Sequence, residues 1–477
     1  MFIIYRNLSM RKISRRNFLL NSTLSSFPFI YTSKKTQKNA NLLLVILDDL
    51  NNYRPYLNCK LDFLTPHINL LKKQSINFES AYCQYPLCHP SRTSMLTGLH
   101  PFTNGVYMFE KIDENEFPVM PRVLKENNFF TVGIGKIFHP KYNVKDAWYY
   151  YMEIHDNLRE FIKKDNDPLT SQFFCFGPVD IPTTETNDYK IVKHAIDFIK
   201  SKQKNPWFLA VGLHTPHTPL FTPLEFYKKI PKSIVKLPKI LEEDLSDIPK
   251  SAIEVVTKYD EVNIHQLILE RNCWEEVIYS YLLRIAFADE LIGLLLKSLE
   301  ETGELNNTCI ILCGDNGWHL GEKKRWQKFT LWNEATKVPM IIHLPNNKKG
   351  GMVIKEAVGL IDIFPTITDI CSITQPDKLE GKNLIPLIFN GESADENQNV
   401  VISQIEKNNF SFRTRRYCYI VYYDGSEELY DYKTDPLEWH NIASSEDSKN
   451  IKNLIISKIP QNMKEKIAKV IQKDIFL

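Results

Sequence analysis

From residue 41 onward the chain alternates short apolar runs with stretches whose apolar residues recur at helical spacing, the pattern of a mostly parallel sheet wrapped by helices. Several of the runs stop abruptly at polar groups. Residues 42–47 give way to Asp48-Asp49, 131–135 to Lys136, 208–213 to His214, and 308–313 to Gly314-Asp315-Asn316-Gly317. Ligands of open α/β sheets collect beyond the carboxyl ends of the strands, so four such ends predict one site. A long helix is predicted from about 275 to 301, with Ile278, Leu282, Ile285, Ile292 and Leu296 in phase and Gly303 as its stop. Residues 215–275, rich in Pro, Lys and Glu, read as an irregular excursion. After about residue 395 the character changes. Two strand-like segments, 416–423 and 428–432, flank the hairpin signal Asp424-Gly425, and 452–471 predicts an amphipathic helix interrupted at Pro460. The expected organisation is a basic leader over 1–38, an α/β body over 39–394 and a small α+β subdomain over 395–477.

Composition narrows the class. The chain has 477 residues, 43% hydrophobic and 12% aromatic, enough apolar surface for a large core, which excludes a disordered or fibrous protein. No apolar run approaches the roughly 18 residues that a membrane-spanning helix needs. Lys+Arg is 59 and Asp+Glu 57, net +2, a balance that argues against nucleic acid as the main partner. Residues 1–38 hold eight of the basic residues and no acid, so the remainder is mildly acidic and binds charged ligands through local groups. Within that leader, Met10-Arg-Lys-Ile-Ser-Arg15-Arg16-Asn-Phe18, followed by a weakly apolar stretch, resembles a twin-arginine export signal, with Met10 as an alternative start. It implies a periplasmic or extracellular protein. The 9 cysteines are odd in number and irregularly spaced, so no disulfide framework is legible. Cys309 and Cys313, inside an apolar run, read as small core residues.

The paired polar residues at the strand ends suggest a metal. Asp48-Asp49 and Asp315-Asn316 offer oxygen ligands from two strand ends to one hard cation, Ca²⁺ or Mg²⁺; zinc would call for His or Cys in these places. The segment Cys88-His89-Pro90-Ser91-Arg92-Thr93-Ser94-Met95-Leu96-Thr97-Gly98 predicts a helix with Pro90 in its first turn, Ser91 as a cap and Gly98 as its end. Cys88 then meets the positive end of a helix, which favours an anionic substrate.

This segment resembles the sulfatase signature C-x-P-S-R followed by L-T-G, matched at every defining position. The resemblance implies an alkaline-phosphatase-like α/β fold and hydrolysis of sulfate monoesters. It also implies that a maturation enzyme converts Cys88 to formylglycine, whose hydrate attacks sulfur to form a sulfo-enzyme intermediate, the second hydroxyl then expelling sulfate. Gly133-Ile-Gly135-Lys136-Ile-Phe138-His139-Pro140, Val211-Gly212-Leu213-His214-Thr-Pro216-His217 and Gly321-Glu322-Lys-Lys-Arg325-Trp326-Gln327-Lys328 resemble the iduronate-2-sulfatase branch in particular. By matched position, Lys136 and His139 hold the hydrate and sulfate, and His214 and Lys328 contact sulfate and the leaving oxygen. Arg92 braces the formylglycine region, and Asp48, Asp49, Asp315, Asn316 and residue 88 itself bind a single ion, Ca²⁺ in preference to Mg²⁺. His214 is the expected general acid, ahead of Asp315. Asn316 stands where that branch carries His, a departure that bears on the assignment to iduronate and not on metal binding. The expected substrate is a sulfated sugar. Two alternatives remain open: a phosphatase or phosphodiesterase of the same fold, and a sulfated-glycan binding protein whose Cys88 is never converted.

Overall fold

The computed structural model of the protein describes residues 40–471 apart from 164–166, 168, 170–173, 205, 260–262 and 347–348. The basic leader, where an export signal is expected, lies outside the described residues. Eight strands form the central sheet: β1 (Asn41–Asp48), β2 (Ile76–Tyr82), β3 (Phe130–Gly135), β4 (Tyr150–Met152), β5 (Trp207–Pro216), β6 (Thr308–Gly314), β7 (Lys337–His343) and β8 (Val353–Gly359). Their order is β8-β2-β7-β6-β1-β5-β3-β4, with β7 antiparallel to both neighbours and the other pairs parallel. The four polar-ended runs of the sequence are therefore four consecutive strands, β6-β1-β5-β3.

β1 is buried along its whole length, as a central parallel strand covered on both faces must be. Leu43, Val45 and Leu47 face helices α3 (Asn187–Lys200) and α4 (Trp274–Thr302), packing with Ile191, Leu282 and Leu291. Leu42, Leu44 and Ile46 face α2 (Cys88–Thr97) and α5 (Ile363–Ile370), packing with Met95, Leu96 and Phe364. A short helix, α1 (Pro66–Lys73), also packs on the first face, through Ile68 and Leu71. The expected long helix is present as α4 and ends at Gly303, which is left-handed at φ 78°. The excursion is less irregular than its composition suggests. It carries short helices at Leu224–Lys229, Lys250–Thr257 and Ile264–Glu270, each under three turns and so too brief to show a period. No helix among the described residues is long and apolar enough to cross a membrane.

The C-terminal region is a four-stranded antiparallel sheet, β9 (Val401–Ile405), β10 (Asn409–Arg413), β11 (Tyr417–Val421) and β12 (Glu427–Asp431), in that order. Gly425 turns the expected hairpin at φ 85°. Helices α6 (Ser448–Ser457) and α7 (Gln461–Ile471), broken apart next to Pro460, cover one face through Ile455, Ile459, Met463 and Ile467. The other face, with Ile405, Cys418, Ile420, Tyr422 and Tyr430, packs against Leu87, Cys88 and Trp332. The small sheet is thus a back wall to the start of α2.

Glu380 clamps α7 to the body. Its carboxylate accepts from the backbone N–H of His100 at 2.8 Å, the Thr103 hydroxyl at 2.7 Å and the Lys466 ammonium at 2.6 Å, and lies 3.1 Å from His100 Nδ1. Burial pushes this carboxyl up, but His100 and Lys466 outweigh burial and hold it at about 2. A depressed acid stabilises the fold fully above its unfolded value, about 4.3, and loses that contribution as pH falls through the folded value. Glu380→Gln is expected to lower unfolding free energy by about 2–3 kcal/mol at pH 7 and far less near pH 2. Urea denaturation at the two pH values checks this, and an equal loss at both would contradict it.

Candidate active site

The carboxyl edge of β6-β1-β5-β3 carries the predicted residues into one buried cluster. β1 ends at Asp48, and Asp49 turns sharply at φ 62°, a left-handed conformation that non-glycine residues adopt at a cost of about 1 kcal/mol. The turn is held from three sides. Asp49 N–H donates to Asp315 Oδ1 at 2.9 Å, Tyr281 of α4 donates its hydroxyl to Asp49 O at 2.7 Å, and Asn51 N–H donates to that hydroxyl at 2.9 Å. On the neighbouring strands, Gly135 is at φ 82° and a Cβ there would stand 2.2 Å from Gly212 O. Glycine lets β3 and β5 close tightly, and the Lys136 N–H donates to Gly212 O at 2.9 Å as the chain leaves β3.

Cys88 opens α2, whose ten residues are all buried. Ser91 does not cap the helix as expected. It lies inside it, and its hydroxyl donates to Asp315 O at 2.5 Å, a bond to a partner more than two hundred residues away that no local signal announces. Arg92, fully buried, reaches three elements. Nε donates to Asp315 Oδ2 at 2.7 Å, Nη1 to the carbonyls of Lys136 and Ile137, and Nη2 lies 3.5 Å from Asp48 Oδ1. Lys136 Nζ contacts Asp48 Oδ2 at 2.5 Å. Lys328 Nζ contacts Asp49 Oδ1 at 2.5 Å and Cys88 Sγ at 2.9 Å. Gln327 and Phe329, on either side of Lys328, are both left-handed at φ 70°, a contorted loop that aims the lysine inward.

The electrostatics follow from desolvation and pairing. Burial pushes Asp48 up, but Lys136, His217, Arg92 and Lys328 together hold it well below the usual carboxylate range. Burial dominates at Asp315, which rises to about 6 although Arg92 pulls it down. Burial also lifts the Cys88 thiol to about 11 despite Lys136 and Lys328, so the cysteine is a protonated thiol at neutral pH and a weak nucleophile.

The residues present suit a hard divalent ion. Among the described residues, the ligand atoms of Asp48, Asp49, Cys88 and His217 lie within 4.8 Å of one another. Asp48 Oδ1, Asp49 Oδ2 and Asn316 Oδ1 are buried without a hydrogen-bond partner. Buried oxygens of this kind are satisfied by a cation. Asp315 is not in that group, because its two oxygens already accept from the N–H groups of Asp49 and Asn316 and from Arg92. Three carboxylates meet three cations here, so a divalent ion would leave the site net positive and receptive to an anionic ester.

Two histidines need separating. His214, the expected general acid, has Nε2 2.7 Å from the carbonyl of Ile154, whereas His217 has Nε2 3.6 Å from Asp49 Oδ2. His217 stood in the same phrase of sequence, but nothing in the spacing distinguished the two. The difference arises because the N–H groups of His214 and Thr215 donate to buried Asp188 of α3, and Arg284 of α4 donates to His217 O. Arg284 is fully buried on the apolar side of α4, and Asp188 is likewise enclosed. These two and Tyr281 are supports that sequence reasoning missed; the only signal was a charged residue or a tyrosine in an otherwise core-facing helix. His139, whose burial pushes it down to about 3, lines the mouth with Phe109, 5.2 Å between ring centroids. The cavity above the cluster holds about 600 Å³ and is lined by Cys88, Lys136, His139, His214, His217 and Lys328, with His155 and Arg159 also on its wall.

Residues 40–373 match the sulfatase family, and residues 321–468 match the C-terminal region of N-sulphoglucosamine sulphohydrolases. The chain belongs to the sulfatase family. A sulfatase of Formosa agariphila is 29% identical over 86% of this chain and 85% of its own length. Iduronate 2-sulfatase of Mus musculus is 26% identical over 84% of this chain and 90% of its own. Among solved structures, a protein in complex with its substrate D-glucosamine-2-N,6-O-disulfate aligns at TM-score 0.69 and 20% identity, covering 91% of this chain and all of the other (100%). A phosphonate monoester hydrolase from Silicibacter pomeroyi aligns at TM-score 0.74 and 18% identity, covering 87% and 94%. At such identities the structural likeness carries the fold, which is the alkaline-phosphatase-like one expected. As a sulfatase the protein is a sulfuric ester hydrolase, of a family that is generally dependent on formylglycine and a metal.

Because Tyr281 both donates to Asp49 O and accepts from Asn51 N–H, Tyr281→Phe is expected to destabilise the sulfatase by about 1–2 kcal/mol. Chemical denaturation measures this, and an unchanged midpoint would show that the hydroxyl does not hold the turn.

Proposed function

We propose that this sulfatase hydrolyses sulfate monoesters of a saccharide through a formylglycine made from Cys88, at a site built on one Ca²⁺. The observation that carries the reading is the placement of Cys88 Sγ against Lys328 Nζ in the same buried cluster as Asp48, Asp49 and Lys136. A thiol lifted to about 11 is poorly suited to attack, which supports conversion to an aldehyde hydrate. Asp48, Asp49, Asn316 and residue 88 would hold the ion, with Asp315 orienting the group through Asp49 and Arg92. A bound divalent ion supplies polarisation of the nucleophile and of one sulfate oxygen.

In the proposed reaction one hydroxyl of the hydrate, its proton lost to solvent, attacks sulfur as the S–O bond to the alcohol breaks. The leaving oxygen takes a proton from His217, not His214 as first expected, because His217 is the histidine beside the carboxylates. Burial keeps His217 down at about 4, against the upward pull of Asp49 and Asp48. An anionic ester seated beside it adds to that pull, and a bound divalent ion opposes it. The neutral His217 then takes the second hydroxyl's proton as the C–O bond to the sulfate breaks, which re-forms the aldehyde and releases sulfate. Lys136, Lys328 and His139 stabilise the charge on the transferring group. A sugar suits the mouth, where the half-exposed ring of Phe109 offers a flat apolar face and His155 and Arg159 offer cationic or hydrogen-bonding contacts. Export through the leader and conversion by a maturation enzyme belong to the same proposal.

The phosphonate hydrolase likeness favours one rival, phosphoryl ester cleavage on the same fold. Turnover of an aryl sulfate against the matching aryl phosphate decides between them, and a preference for phosphate would overturn the sulfate reading. Cys88→Ala is expected to abolish turnover with the fold intact, and the intact mass of the Cys88 peptide from active protein should show an aldehyde in place of the thiol. An unmodified thiol in active protein would end the formylglycine mechanism, and an unmodified thiol in inactive protein that binds sulfated glycan would favour the glycan-binding reading. His217→Ala should cost more than about 100-fold on an alkyl sulfate, and much less on a 4-nitrophenyl ester whose leaving group needs no proton. Equal losses on the two would remove His217 as the acid.

A further inference from the structure

A second concave surface lies outside the catalytic cavity. It is a groove of about 740 Å³, within the size range of ligand sites, walled by the chain after β1 and by the open face of β2 and β7. Four cations line it, Arg54, Lys72, Lys236 and Lys337, against one carboxylate, Glu79. Among the described residues none of the four cations forms an ion pair, although most of the other buried or half-buried lysines of the chain do. Lys72 and Lys337 are half-buried, and burial lowers the pKa of both. Concentrating positive charge in a low-dielectric groove, on a body that is otherwise acidic, focuses the field on an incoming anion.

Short stretches of chain tie the groove's walls to the candidate metal residues. Asp48-Asp49 runs within a few residues into Asn52 and Arg54. Gly317, directly after Asp315-Asn316, donates its N–H to Ala335 O at 2.9 Å, two residues before Lys337.

We propose that this groove binds a stretch of a sulfated polysaccharide, holding a polymeric substrate by sulfate groups other than the one cleaved. The occupant's chemistry rests on the sulfated-saccharide reading above, but its binding can be measured without turnover. Size-fractionated dextran sulfate is the probe, titrated calorimetrically into the full chain at low and at moderate salt. Lys72→Gln/Lys236→Gln/Lys337→Gln is expected to weaken binding by about tenfold or more and to flatten its salt dependence, with hydrolysis of an aryl sulfate unchanged within about twofold. Because Lys337 is half-buried, Arg54→Gln/Lys236→Gln, which alters exposed residues alone, provides a second variant and should weaken binding in the same sense. Binding within about twofold of wild type in both variants would overturn the proposal. So would tighter binding of a single-stranded oligonucleotide than of dextran sulfate of matched length, which would assign the groove to nucleic acid. Failure of wild-type protein to hydrolyse any aryl sulfate would count against the catalytic reading alone.

Discussion

Asp48, Asp49 and Asp315 sit beneath the surface at the edge of the sheet, where an isolated carboxylate would cost several kcal/mol to desolvate. They are there because Arg92, Lys136 and Lys328 arrive from three other segments to neutralise them. That mutual compensation fixes the geometry of the whole site. Arg92 meets Asp315, Asp48 and the Lys136 carbonyl from the second turn of α2, and Cys88, one turn earlier on the same helix, stands at the cluster. The contact that neutralises the acids also places Cys88.

The rest of the molecule supports this arrangement from beneath and behind. Tyr281 and Arg284 of α4 and Asp188 of α3 hold the turns that carry Asp49, His214 and His217 by hydrogen bonds to backbone atoms. The C-terminal sheet closes the rear, packing Tyr422 and Tyr430 into the same cluster as Leu87 and Cys88. Variation is left to the mouth, where Phe109, His155 and Arg159 stand on loops, as is usual when a rigid scaffold presents adaptable contacts.

A phosphonate monoester hydrolase and sulfated-sugar enzymes share this fold, so the sheet and its helices do not decide which ester is cleaved. What separates the possibilities is the chemistry at residue 88 and the balance of charge around it. Three cations against three carboxylates, with buried oxygens suited to a divalent ion, fit a tetrahedral anion, and the sulfatase family match supplies the sulfur.

By itself the sequence determined the fold class, the four strand ends that meet at the site, the long helix ending at Gly303, and the residue types at Cys88, Asp48-Asp49 and Lys328. These are written in local periodicity and in contiguous motifs, which need no knowledge of distant contacts. Only the tertiary structure decided which of His214 and His217 faces the carboxylates, that Ser91 bonds to Asp315 and does not cap its helix, and that Asp188, Tyr281 and Arg284 are supports. It also decided that Lys72, Lys236 and Lys337, scattered along the chain, share one groove. Each of those outcomes depends on a contact between residues far apart in sequence, where burial and pairing, and not local pattern, determine which way a side chain turns.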